Sequence, residues 1–269
     1  MVRKRIQFIE LHDQPWFPDF LRRLVTDFLR FAWTFPLPFG RYKCPAQLPT
    51  TELRELMKDG DSAVDVCSGG GGPVSAVQKQ LAKQGVNVRW TLSDLYPNVT
   101  AFQMLCKDNN ELKFMAEPVD ATDCKLKGFR TMFASFHHFP PNLGMRLLAD
   151  AVEKQQPIGI FEFQRNNLAT CLLFMVMLPL LTIIGTPFIK PFSAQRLFYT
   201  YIIPVVPFVL TVDGVISCLR TYSEAEFMEL VDKADPQRKF NWKYQHKRLL
   251  PFIPLYYVSY IGTPKEKAA

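Results

Sequence analysis

The chain has 269 residues, 48% of them apolar, and lysine plus arginine outnumber aspartate plus glutamate 32 to 25, for a formal charge of +7. That length carries one large α/β domain with its own core, and the basic excess favours an anionic partner such as a phospholipid surface. The six cysteines (Cys44, Cys67, Cys106, Cys124, Cys171, Cys218) are scattered, without a C-x-x-C pair or a histidine at ligand spacing, which argues against a zinc site and a disulfide framework.

Neither a metal nor a nucleic-acid partner is therefore expected. Basic residues cluster only at Arg3-Lys4-Arg5 and between Arg238 and Arg248, too little for a nucleic-acid stripe. Glu10 and Asp13 interrupt any apolar secretory core near the N-terminus, which points to the reducing, cytosolic side.

From Phe17 to Ala32 apolar residues recur at three- and four-residue steps, opposite Arg22, Arg23, Asp27 and Arg30. This predicts an amphipathic helix, packed on a core or lying on a membrane. Asp19 is placed to cap its start, and Trp16 and Trp33 flank it as possible interfacial anchors. Pro36, Pro38, Gly40, Pro45 and Pro49 form a connector, followed by a helix over Thr50–Met57.

Strands and helices then alternate: strand Ser62–Cys67, helix Val74–Lys83, strand Val88–Leu92, helix Val99–Lys107, strands Leu112–Met115 and Phe129–Ser135, helix Leu143–Glu153 and strand Ile158–Phe163. Alternation of this kind predicts parallel strands with helical crossovers. Ser223 heads a helix to about Lys233, with Glu226 at capping-box spacing. Two alternating aromatic-rich strands, Phe240–Lys247 and Leu255–Ile261, close the chain, with Pro251 and Pro254 expected in the turn between them.

Composition shifts abruptly after Glu162. The 24 residues between Arg165 and Lys190 carry no charge. As one helix they would extend about 36 Å, enough for a hydrocarbon core of about 30 Å. A second uncharged run covers Leu197–Val212. Pro179, Gly185, Pro187 and Pro191 interrupt the first, and Pro204 and Pro207 the second. Lys190 and Arg196 would lie on the far side of a complete crossing, against the positive-inside tendency. The expectation is a proline-broken hairpin that dips into one leaflet or lines an apolar tunnel. The domain plan is 1–49 (amphipathic helix and connector), 50–163 (nucleotide-binding core), 164–212 (apolar insertion) and 213–269 (C-terminal part of the sheet).

The chemistry is concentrated at Asp65-Val66-Cys67-Ser68-Gly69-Gly70-Gly71-Gly72-Pro73, where a strand enters four glycines and a proline suited to a first helical turn. Glycines permit close backbone approach, and a helix N-terminus offers N–H groups to a polar or anionic ligand. A dinucleotide fingerprint would need a third glycine three positions after the second, where this chain has Val74 or Ser75. Asp94, followed by Leu95, ends the second strand, where a carboxylate can accept both hydroxyls of a ribose. Asp120 follows in the next loop, where it could take an adenine amine.

Asp65 to Gly71, Asp94, Asp120-Ala121 and Ala134-Ser135-Phe136-His137-His138 together resemble the motif series of class I S-adenosylmethionine-dependent methyltransferases. The resemblance covers roughly 50–163 and the final strand pair. It implies a Rossmann-like, mostly parallel α/β sheet with a terminal antiparallel pair, to which the apolar helical insertion and the N-terminal amphipathic helix are added. It implies S-adenosyl-L-methionine as cofactor, with Asp65, Ser68, Gly69, Gly70 and Gly71 near the methionine moiety, Asp94 and Leu95 at the ribose, Asp120 and Ala121 at the adenine, and Ser135 bordering the site. Cys67 departs from the pattern, standing where the family often has its first glycine.

A sulfonium methyl is already activated, so the protein mainly aligns an acceptor and excludes water. Where a base is needed, His138 or His137 is the candidate. Further candidates are Glu162, His12 with Asp13, and Tyr222; as structural alternatives, Glu162 would pair with Arg165 or Arg130, and His12 would cap the first helix. The expected function is methyl transfer to a hydrophobic or lipid-like acceptor at a membrane, with the catalytic domain facing the cytosol. Two alternatives stay open: a membrane-anchored binding protein without turnover, and a dinucleotide-dependent oxidoreductase.

Overall fold

The computed structural model describes residues 4–36, 42–107, 109–250 and 252–265. Arg3, Pro38, Gly40 and Pro251 lie outside the described residues. The chain forms two compact units, one of residues 46–163, 224–247 and 257–269, the other of residues 1–45, 164–223 and 248–256.

The first unit holds the sheet. Its elements are α2 (Gln47–Leu56), β1 (Ser62–Val66), α3 (Val74–Ala82), β2 (Arg89–Ser93), α4 (Val99–Cys106), β3 (Leu112–Phe114), β4 (Phe129–Phe133), α5 (Pro141–Glu153), β5 (Ile158–Glu162) and α9 (Glu224–Ala234), with most of β6 (Phe240–Leu250) and β7 (Ile253–Pro264). The seven strands are ordered β3-β2-β1-β4-β5-β7-β6. β1 to β5 are mutually parallel, and β7 runs antiparallel to β5, with Gly159 opposite Ile261. The sheet is thus the Rossmann-like, mostly parallel one expected.

β4 and β5 are buried at every position, as strands covered on both faces must be. Pro254 lies inside β7, not in the preceding turn; the residue at the turn is Phe252, with φ +66°. The chain leaves β3 on one side of β1 and returns as β4 on the other, so the strand order reverses between β1 and β4. In open α/β sheets, ligands bind outside the carboxyl ends of the strands at such a point.

The second unit is helical: α1 (Asp19–Ala32), α6 (Leu168–Gly185), α7 (Ala194–Leu197), a π-helical turn Phe198–Ile202, and α8 (Val205–Arg220). Leu21, Leu24, Val25 and Phe28 of α1 are buried in one cluster with Ile189, Val206, Val209 and Leu210. The amphipathic helix therefore spends its apolar face on this core. Asp19 does not cap it; its carboxylate takes the Arg22 guanidinium at 2.6 Å, and Pro18 holds the cap position. Trp16 is exposed, whereas Trp33 is buried and cannot serve as an interfacial anchor.

The expected boundary at 213 falls inside α8. Asp213 does not mark a return to a solvated surface: it is buried, and its carboxylate accepts the Leu11 and His12 N–H groups at 2.6 and 3.1 Å. Arg196, between the two apolar runs, is also buried; it pairs with Asp27 of α1 at 2.9 Å and donates to the Ile189 and Pro191 carbonyls.

Candidate functional site

β1 carries Val64 and Val66 into the core and delivers Asp65, 2% exposed, to its carboxyl end. Thr131, its register partner on β4, donates its hydroxyl to Asp65 Oδ1 at 2.9 Å, and Ser68 donates to Oδ2 at 2.7 Å. Burial pushes the Asp65 carboxyl up to about 7, against the pull of those two hydroxyls, and the Asp94 charge adds to the rise.

The glycine turn is pinned to β2. The Cys67 and Ser68 N–H groups both donate to the Ser93 carbonyl, at 3.0 and 2.9 Å, and the Ser93 hydroxyl returns a bond to the Asp65 carbonyl at 2.9 Å. The Gly71 N–H closes the turn on the Ser68 carbonyl at 2.7 Å. Gly71 has φ +92°, and a Cβ there would stand 2.0 Å from Leu105 Cδ1. Gly69 and Gly72 also have positive φ, with open space where a Cβ would be, so their backbone is bared to an approaching ligand. Cys67 has φ +80°. The backbone thus keeps a glycine-type conformation at Cys67, although the residue there is not glycine.

Asp94 accepts the Gly69 N–H at 2.8 Å and the Tyr96 N–H at 2.9 Å. Burial pushes its pKa above the usual carboxylate value, while those N–H groups, that of Leu95 and the nearby His138 oppose the rise. The Val119 N–H donates to the Asp94 carbonyl at 2.8 Å, which brings the next loop alongside. There Asp120 caps a 3-10 turn over Ala121–Asp123, its Oδ1 accepting the Thr122 N–H and hydroxyl at 2.7 and 2.9 Å. Leu95 is exposed, and Ala121 is buried.

These acids converge on one residue. Burial first, then the charges of Asp94, Asp65 and Asp120, drive the Cys67 thiol well above its ordinary value. β4 leads into Ala134, at φ +49°, and half-buried Ser135, which starts the 3-10 turn Phe136–His138. His137 is buried, and its Nδ1 meets Glu162 at 2.9 Å, with a further bond from its N–H to the same carboxylate. His138 is half-buried, its ring 4.3 Å from that of His137.

No protein-family model and no curated relative matches this sequence. Solved structures do align with it. The pyocyanin biosynthetic protein PhzM is 13% identical over 81% of this chain and 55% of its own, with a TM-score of 0.45. The mitomycin 7-O-methyltransferase MmcR is 16% identical over 79% and 53%, with a TM-score of 0.44. A Rhodobacter sphaeroides protein described as a zinc-dependent alcohol dehydrogenase is 10% identical over 91% and 98%, with a TM-score of 0.51. The chain spans about half the length of the first two.

The likeness is one of fold. Within that fold, Asp65, the glycine turn, Asp94, Asp120, Ser135 and His137 with His138 all sit at or just beyond the carboxyl ends of β1 to β4, with Glu162 at the end of β5. Glu162 pairs with His137, not with Arg130, whose guanidinium is taken by Asp150 at 2.7 Å. His12 and Asp13 belong to the helical unit, where His12 Nδ1 meets Asp213 at 2.8 Å instead of capping α1. Tyr222 is buried in that same unit under the Arg5 guanidinium, 4.1 Å from its ring centre. Ser93 and Thr131 were not legible as site residues; both are polar and fully buried on strands, a combination visible only once the strands are paired.

Proposed function

We propose that this chain is an S-adenosylmethionine-dependent methyltransferase whose acceptor is a hydrophobic or lipid-like small molecule met at a membrane. The observation that carries the reading is that Asp65 and Asp94 both hydrogen-bond the left-handed, bare-glycine turn, with the loop of Asp120 bonded to Asp94, at the point where the strand order reverses. The residues fit the cofactor. Asp94 takes the N–H groups of Gly69, Tyr96 and Leu95 and, with about four acceptor positions on a carboxylate, keeps capacity toward a vicinal diol. Asp65, buried beneath the turn, would become ionised beside the cationic methionine portion. Asp120 and Ala121 border the place for an adenine, with Ser135 at the rim.

When bound, the cofactor supplies an activated methyl group on a sulfonium. The protein then orients the acceptor and keeps water out. The buried Glu162 carboxylate fixes the His137 ring, and His138 beside it is the group placed to take a proton from a hydroxyl or ammonium acceptor. The hydrophobic acceptor and the membrane setting are supported by the exposed apolar side chains of the helical unit. In neither register does a dinucleotide fingerprint find its third glycine, since Val74, fully buried at the start of α3, or Ser75 stands there, which weighs against a nicotinamide cofactor.

Calorimetry of S-adenosylmethionine binding to the wild type and to Asp94→Ala tests the assignment, with a nicotinamide dinucleotide as competitor. Binding to the wild type that weakens at least tenfold in the variant is expected. Equal affinity, or tighter binding of the dinucleotide, overturns it. Cofactor binding without methyl transfer to any membrane-lipid extract would leave a binding protein.

A further inference from the structure

We infer that the helical unit docks on a membrane in plane, with α6 lying along one leaflet rather than crossing the bilayer. This rests on the membrane setting proposed above and specifies its geometry. The stretch Leu168–Phe188 has mean hydropathy 2.4 and is long enough to span. Its surroundings decide otherwise.

At about 100° per residue, the exposed residues Leu168, Leu172, Met175, Val176, Leu180 and Ile184 fall on one half of the helix. Thr170, Cys171, Phe174, Thr182 and Gly185, all buried, fall on the other. The covered half faces α8, through Phe174 and Leu178 against Gly214, and α1, through Gly185 against Phe28 and Phe31. α1 carries Asp19, Arg22, Arg23, Asp27 and Arg30, and the irregular segment before it bonds α8, with the Ile6 N–H on the Leu219 carbonyl and His12 on Asp213. A crossing α6 would drag this charged layer into hydrocarbon, where ionisable side chains are costly even when paired. Lying flat puts the bare face in the acyl region and the charged layer in water.

Both ends of α6 are equipped for an interface. Beyond its C-terminal end, Lys190 is exposed between Phe188 and Phe192, 66% and 75% exposed. At its first turn the Thr170 hydroxyl bonds the Pro254 carbonyl at 3.0 Å, holding Phe252, 97% exposed, nearby. A shallow apolar depression between α6 and α8, lined by Pro179, Ile183, Pro204, Pro207 and Phe208, continues the same surface. Aromatic rings flanking an exposed lysine, on a chain of net charge +7, commit the occupant to a leaflet with anionic headgroups.

The test is flotation of the full chain with phosphatidylcholine vesicles and with vesicles containing 30% phosphatidylserine, combined with depth measurement. Stronger flotation with the anionic vesicles is expected, together with at least a tenfold loss of bound fraction for Leu172→Glu/Val176→Glu/Ile184→Glu at an unchanged circular dichroism spectrum. Single replacements Leu172→Trp, Leu180→Trp and Phe188→Trp, corrected for the four native tryptophans, should be quenched alike by lipids brominated near the headgroup. Deep quenching confined to the Leu180→Trp variant means a crossing helix and overturns the in-plane geometry alone. Absence of wild-type flotation overturns the membrane reading itself. A stable dimer in detergent-free buffer that the triple variant abolishes, with no vesicle binding, assigns the face to a second copy and overturns the proposal.

Discussion

Replacing Asp65 by asparagine removes a carboxylate that burial drives strongly toward neutrality. The folded group sits at about 7 against an ordinary 3.8, because burial outweighs the hydroxyls of Ser68 and Thr131. Between those two values the folded chain holds a proton that the unfolded chain has released, so wild-type stability declines as pH rises from about 4 to about 7. Three units at 1.36 kcal/mol each put the full loss on the order of 4 kcal/mol. Asparagine is neutral throughout and keeps the shape, at a pH-independent cost of about 1 to 2 kcal/mol for an amide placed between two hydroxyl donors. The variant should therefore be slightly less stable than wild type at pH 4.5 and more stable at pH 8. Urea unfolding followed by circular dichroism across this range measures the difference. A difference that stays flat with pH refutes the reasoning. The same carboxyl makes a second readout: binding a cationic cofactor beside it should release close to one proton at pH 6, seen as a buffer-dependent binding enthalpy that Asp65→Asn abolishes.

Cys67→Gly should be neutral to stabilising by about 1 kcal/mol, because relief of a left-handed L-residue, about 1 to 2 kcal/mol, outweighs the added backbone entropy of glycine. Cys67→Val should cost more than 1 kcal/mol, since a branched Cβ fits that conformation worst; thermal unfolding of the pair checks both. Asp27→Ala strands the buried Arg196 guanidinium and should cost about 3 kcal/mol, with part of the loss recovered when Arg196→Met is added. A single mutant matching wild type in thermal unfolding would show that the two carbonyl acceptors suffice. His12 is lowered by burial but raised on balance by Asp213, Asp13 and Glu10. Its contribution is fully present below the unfolded value of 6.5 and is lost as pH rises through the higher folded value. Protection factors of the Leu11 and His12 amides, corrected for intrinsic base-catalysed exchange, should fall over that interval, and His12→Gln should remove the step.

Alternation of strands and helices, the glycine turn, and the order of Asp94 and Asp120 after it were legible in the sequence, because periods of 2 and 3.6 and the demands of a tight turn are local properties. Most predicted elements lie within a few residues of those observed. Tertiary structure alone decided where buried charges find partners. Asp213 meets segment 11–12, some 200 positions away; Arg196 meets Asp27; Glu162 meets His137 and leaves Arg130 to Asp150. It also decided which side of each apolar helix is covered. Hydropathy marks α6 as long and apolar enough to span, but only the packing of α8 and the charged α1 against one side gives it a covered face and a bare one. A local pattern records what a residue can do, whereas the cost of burying a charge or baring a leucine depends on what the rest of the chain brings beside it.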